Sequence, residues 1–290
     1  FLLYPFISPY LPGLLFSRGI RFESFMGFLA HSGQGVYGIP LGVASTYIVL
    51  FTIFGSFLSE FGAGDFFFRL SNRITHGFRA ASAKTAVIFS TLLGMISGSA
   101  AGNVAVTGSF TIPLMKREGY RPHEAGAIEA VVSTGGQIMP PVMGAAAFIM
   151  AEIVGTPYVN IMKAGLIPAL LFFISVLFVV HLQAVKSDLA ITEAQAAPEQ
   201  SFLATITGGL PFVVPFFTLI GMMIAGYSPV KASFFAIVLL LVVHLLVARS
   251  MNLEFWQRIG RAMARGVQNA IPISIACAAA GIISAVLSAT

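Results

Sequence analysis

Charge is scarce in this sequence. It has 16 basic and 11 acidic side chains in 290 residues, or 9%, where a soluble domain carries about 25%. So few charges cannot cover the surface of a water-soluble fold of this length, which excludes a soluble enzyme and a disordered chain. A nucleic-acid-binding chain is excluded as well, because the net charge of +5 reads as loop charge on a membrane protein. Cysteine is nearly absent. Cys277 alone allows no internal disulfide and no cysteine-based metal cluster. Aspartate occurs only at Asp65 and Asp188. Gly62-Ala63-Gly64-Asp65 matches the GxGD string of intramembrane aspartyl proteases, but Asp188 lies in a polar linker, so a catalytic carboxylate pair has no partner at membrane depth. The five histidines, His31, His76, His123, His181 and His244, show no HExxH or other ligand spacing. Ser97 has neither a GxSxG setting nor a base beside it. The chain is therefore not expected to be an enzyme, and no cofactor is expected. It starts at Phe1 rather than Met, shows no cleavable signal peptide, and stops inside an apolar run at Thr290. It reads as a piece of a longer polypeptide.

Long apolar runs are what the sequence has in excess, with 57% hydrophobic residues and a mean hydropathy of +0.90. A bilayer span needs about 20 such residues. Runs of that length lie at 38–60, 164–183, 203–226, 229–248 and 269–290, with the tail of another at 1–12. The expected class is an all-α polytopic membrane protein. Two stretches are interrupted. Residues 85–115 carry Gly94, Gly98, Gly102, Gly108 and Pro113, and residues 120–154 are broken at Ser133–Pro141, STGGQIMPP. Glycine and proline both disfavour continuous helix, so discontinuous helices are expected there.

Basic residues set the topology. Arg69, Arg73, Arg79 and Lys84 precede 85–115, and Lys116, Arg117 and Arg121 follow it. Both flanks then face the cytoplasm. Two arms of about 15 residues reach about 22 Å each, which makes 85–115 a re-entrant hairpin with its tip at Ser97–Asn103. On this assignment twelve basic residues lie inside, and only Arg18, Arg21, Lys163 and Lys231 lie outside. A faint repeat links Gly35–Ser45, GVYGIPLGVAS, with Gly266–Cys277, GVQNAIPISIAC. The stretch before the first, 22–34, has one arginine at its edge in Arg21 and none within, whereas 253–265 has three, so the copies fall on opposite faces. Inverted repeats with broken helices at the midplane are a device of secondary transporters.

The candidate site follows from the two breaks. Gly94, Gly98 and Gly102 form GxxxGxxxG, which alone reads equally well as close helix packing. Ser97, Ser99, Asn103, Thr107 and Ser109 add more polar groups than packing needs, and irregular backbone at membrane depth must be buried or line a cavity. Ser97, Gly98, Ser99 and Asn103 at the tip, with Ser133, Thr134, Gly135, Gly136, Gln137 and Pro140 at the second break, are the candidate cation and substrate contacts. Hard oxygen ligands for Na⁺ are assigned to Ser97, Ser99, Asn103 and the Gly135 backbone, while the N-terminus of the returning arm suits an anionic group. Among acids at depth, Glu124 and Glu152 lie near the boundaries. Glu129, one turn before the break, is a functional candidate, although a structural pairing with a neighbouring helix is an equal reading.

The block Gly94–Glu152, GMISGSAAGNVAVTGSFTIPLMKREGYRPHEAGAIEAVVSTGGQIMPPVMGAAAFIMAE, closely resembles the large membrane subunit of tripartite ATP-independent periplasmic (TRAP) transporters. With SPYLPGLL (Ser8–Leu15) and YGIPLGVAS (Tyr37–Ser45), it looks most like the TAXI-type fused permeases. The resemblance implies an elevator-type Na⁺-coupled carrier for organic acids or amino acids, fed by a periplasmic TAXI-type binding protein. It further implies an arm helix at about Gly64–Arg79 and a small four-helix membrane portion fused upstream of Phe1. The expected organisation is an outer amphipathic stretch at 1–36, a first repeat at 37–185, a cytoplasmic linker at 186–202, and an incomplete second repeat at 203–290. The second hairpin would lie beyond Thr290. The alternative reading is a divalent-anion/sodium symporter that works without a binding protein.

Overall fold

The computed structural model describes residues 2–31, 33, 35–187, 202–248 and 252–289; the expected linker at 186–202 lies almost wholly outside them. Every regular element among the described residues is helical. Pro5, Pro9 and Pro12 divide the first described residues into α1 (Tyr4–Ile7) and the 3₁₀ turns Ser8–Tyr10 and Gly13–Leu15. After α2 (Phe22–His31) come α3 (Ile39–Val43) and α4 (Val49–Glu60), joined by one π-helical turn into a helix of 22 residues, Ile39–Glu60. Gly62, at φ +102°, turns the chain into the amphipathic α5 (Ala63–Thr75).

The centre of the structure is a helical hairpin, α6 (Ala81–Ser97) and α7 (Ala100–Glu118). Its arms of 17 and 19 residues are longer than the spacing of flanking charges suggests. The reason is local. Glu118, at the end of α7, accepts the free backbone N–H groups of Ala81 and Ser82 at 3.0 Å each, closing the base of the hairpin across its two ends. Gly119 (φ +105°) then ends α7, and Pro122 opens α8 (Pro122–Gly135), whose Glu124 carboxylate reaches back to the Arg121 N–H at 3.0 Å. A 3₁₀ turn and two prolines separate α8 from α9 (Ala145–Val154).

Four more helices complete the fold: α10 (Tyr158–Lys186), α11 (Phe202–Ile224), α12 (Pro229–Ala248) and α13 (Leu253–Ala289). With Ile39–Glu60, they give five helices among the described residues that are long and apolar enough to cross a membrane. Leu171, Phe178, Val179, Leu182, Leu246 and Val247 stand exposed on α10 and α12, as lipid-facing residues do. The chain is thus a multi-pass membrane protein. Where separate amphipathic and spanning pieces were expected at 253–265 and 269–290, α13 runs unbroken for 37 residues. Arg261–Arg265, RAMAR, consists of strong helix formers and contains no break.

The helices that carry the two repeated motifs pack together antiparallel. Gly281 lies against the Gly35 carbonyl, Gly266 against Ile53, and Asn269 Nδ2 donates to Ser56 Oγ at 3.4 Å. At the far end Arg261 reaches Glu60 at 3.4 Å, and Arg265 contacts the same carboxylate. Glycine allows this approach: a Cβ at Gly266 would stand 2.6 Å from the Ile53 Cα.

Candidate functional site

The hairpin tip needs only two residues between its helices, and both are chosen for that turn. Gly98 ends α6 in the left-handed conformation (φ +59°), and Ser99 caps α7 by accepting the Gly102 N–H at 3.2 Å. The second break faces this turn. Met143 is also left-handed (φ +57°), the Val142 N–H donates to the Met95 carbonyl at 3.3 Å, and the Gly144 N–H donates to the Gln137 carbonyl at 2.7 Å. Backbone meets backbone at two points. A Cβ at Gly94 would lie 2.5 Å from the Gly136 Cα, and one at Gly98 would lie 2.2 Å from the Met143 carbonyl oxygen.

The candidate residues separate by environment. Asn103 is fully buried beside the Gly94–Gly136 contact and donates from Nδ2 to the Ser90 carbonyl at 3.0 Å. Its Oδ1, like Ser97 Oγ, is buried and takes no hydrogen bond from the described residues. Orphaned buried oxygens of this kind suit a ligand that supplies positive charge. Gly136 and Pro140 are buried at the same junction, while Gln137 is exposed and lines a cavity of about 720 Å³ together with Ser97, Gly98 and Ser99. Thr52, Ser56, Arg265 and Asn269 form its opposite wall. Three candidates lie elsewhere. Thr134 is exposed and donates to the Ala130 carbonyl of its own helix at 2.7 Å. Gly135 is pressed against Phe172 of α10, where a Cβ would come within 2.2 Å of the ring. Ser133 points away from the tip and donates to Glu129 at 2.9 Å.

Ser133 leads to residues that were not assigned to the site. Glu129 is 0% exposed and is surrounded by hydroxyl groups from three helices. Ser90 of α6 donates to it at 3.1 Å, Ser133 at 2.9 Å, and Thr107 and Thr111 of α7 complete the set. The signal was present as spacing. Asn103, Thr107 and Thr111 recur every four residues on one face of α7, and Glu129 and Ser133 do so on α8.

The sequence profile described as "Tripartite ATP-independent periplasmic transporter, DctM component" matches residues 26–290. The chain belongs to this family. Among its relatives is the C4-dicarboxylate TRAP transporter large permease protein DctM of Pseudomonas aeruginosa, 26% identical over 71% of this chain and 48% of that one. The ectoine/5-hydroxyectoine TRAP transporter large permease protein UehC of Ruegeria pomeroyi is 27% identical over 56% of this chain and 37% of its own length. Protein YgiK of Salmonella typhimurium is 27% identical over 66% of this chain and 43% of its own. The chain spans about half the length of the curated relatives it matches. Membership in a family of transporter permeases, with five membrane-length helices, makes this TRAP-family chain a multi-pass inner-membrane protein. The family is one of transporter components, not one of enzymes.

Proposed function

We propose that this chain is the permease portion of a Na⁺-coupled carrier that imports organic acids or amino acids delivered by a periplasmic binding protein of the TAXI type. The observation that carries this reading is the meeting of two helix breaks at membrane depth. There Asn103 Oδ1 and Ser97 Oγ take no hydrogen bond from the described residues, beside the backbone-to-backbone contacts of Gly94 with Gly136 and Gly98 with Met143. A dehydrated Na⁺ needs such oxygens, and an anionic substrate is served by the α7 N-terminus at the tip and by Arg265 across the cavity. The small four-helix membrane portion, fused ahead of this region, completes the assembly. An elevator movement carries the hairpin and the broken helix together past α4 and α13.

The test is uptake by the full-length protein in proteoliposomes with an imposed sodium gradient, with and without its binding protein. Sodium-driven uptake that needs the binding protein supports the reading. Uptake without the binding protein favours a divalent-anion symporter instead, and uptake indifferent to sodium overturns the coupling.

Topology gives a second expectation. The basic flanks of the hairpin and the closure of its base by Glu118 support a topology with Lys84 and Arg117 on one side of the membrane. In a Cys277→Ser background, single cysteines at positions 84 and 117 should both react with a membrane-impermeant maleimide from the cytoplasmic side. Labelling from opposite sides would remove the re-entrant arrangement.

A further inference from the structure

Glu129 is a carboxylate with no exposed surface, and the four side chains within hydrogen-bond reach of it all present neutral hydroxyls. An ion buried this way retains a large desolvation cost unless positive charge stands nearby. The network has a direction. Ser90 holds Glu129 through its hydroxyl at 3.1 Å and Asn103 through its carbonyl at 3.0 Å. Thr107 contacts Glu129 and lies 2.8 Å from the Asn103 carbonyl, so its one proton serves either acceptor. The acid is therefore one turn of α7 from Asn103, whose buried Oδ1 has no donor among the described residues. Even the backbone is fitted to it: a Cβ at Gly108 would stand 3.3 Å from Glu129 Cγ, so the glycine lets the acid lie flat against the returning arm.

We propose that Glu129 is a positioning residue whose fixed negative charge, held under the hairpin tip by Ser90, Thr107, Thr111 and Ser133, strengthens cation binding at Asn103 without touching the cation. The inference rests on the sodium-coupled reading above and adds to it the source of the charge. Four residues of helix separate Asn103 from Thr107, about 6 Å of rise. A unit charge at that range, with the effective screening of a protein interior, changes cation affinity between about ten- and a hundredfold. The hydroxyls do a separate job: they tie α6, α7 and α8 into one body.

The two jobs can be separated in the purified full-length protein by following both the melting temperature and its rise with NaCl against choline chloride, alongside uptake. Glu129→Gln keeps the shape but removes the charge; its amide NH2 turns one acceptor into a donor, which a neighbouring hydroxyl meets by turning to accept. The variant should melt near wild type in choline, yet need at least tenfold more sodium for half of the stabilisation and for half-maximal uptake. Thr111→Val keeps the charge and removes the donor farthest from Asn103. It should lower the melting temperature and leave the sodium dependence where it was. Wild-type sodium dependence in Glu129→Gln overturns the proposal and leaves only the tie between helices. A tenfold sodium shift in Thr111→Val overturns it too, whether or not Glu129→Gln folds, because the effect would then travel through the tie. A wild-type protein that ignores sodium in both measurements is a different result, since it removes the sodium reading itself.

Discussion

Replacing Gly94 with leucine should abolish uptake by the full-length transporter while leaving a membrane-inserted protein. The contact at this position is backbone against backbone: the Cβ of any other residue would stand 2.5 Å from the Gly136 Cα, a main-chain atom rather than the end of a flexible side chain. Both glycines are buried at the point where α6 meets the 3₁₀ turn after α8. Pushing them apart moves the hairpin tip off the second break and breaks the Val142–Met95 hydrogen bond. A displacement of about 1 Å in a packed interior costs on the order of 1–3 kcal/mol for strain alone. It costs far more in transport, where the ligand oxygens must stay in register. Gly126→Ala is the matching control. It lies in α8, and nothing stands within 4 Å of where its Cβ would go. Proteoliposome uptake and a thermal melt of both variants decide the matter: near-normal transport by Gly94→Leu would show that the two breaks need not touch.

The spans were legible because each is an apolar run of bilayer length closed by charge or proline. Ile39–Glu60 and Pro229–Val247 lie where the runs at 38–60 and 229–248 lie. Boundaries shifted where polar residues remain helical. α10 starts at Tyr158 rather than 164 and tolerates Pro168 inside it, and α13 absorbs the arginines of 258–265 into one helix. In the candidate site, glycine and proline spacing located both breaks, since these residues disfavour continuous helix; the left-handed Met143 at the second break carried no such signal. Spacing could not say which way the hydroxyls point. Ser133 and Thr134 are neighbours, yet the first lies four residues after Glu129 and turns to it, while the second bonds its own helix. The cage around Glu129 was only partly legible: four-residue spacing aligned its members within α7 and within α8, but not between helices. Its members come from α6, α7 and α8, and the close approach of Gly94 to Gly136 that brings α6 against the turn after α8 has no local signature in the sequence.

Asn103→Ala should raise the sodium concentration for half-maximal uptake at least tenfold while costing little stability. The asymmetry follows from the bonds the amide makes. Its Nδ2 donates to the Ser90 carbonyl, which belongs to the α6 backbone ladder and keeps its helical partner when the amide is removed. Its Oδ1 has no donor to lose among the described residues. Removing the side chain therefore leaves no newly orphaned backbone group, the circumstance in which deleting a polar residue is mild. For a cation the loss is different, because an oxygen that replaced water is gone and its interaction with a charged partner is worth about 1.5–3 kcal/mol. A tenfold change in affinity corresponds to about 1.4 kcal/mol, so the expected shift is the lower end of that range. Ser99→Ala separates binding from folding, since the Ser99 hydroxyl is occupied by the Gly102 N–H. That variant should lose about 1 kcal/mol of helix-cap stability with a smaller sodium shift than Asn103→Ala. Sodium titrations of uptake, paired with melting curves in choline, measure both quantities in each variant. A larger sodium shift in Ser99→Ala than in Asn103→Ala would move the ligand from the buried amide to the cap of the returning arm.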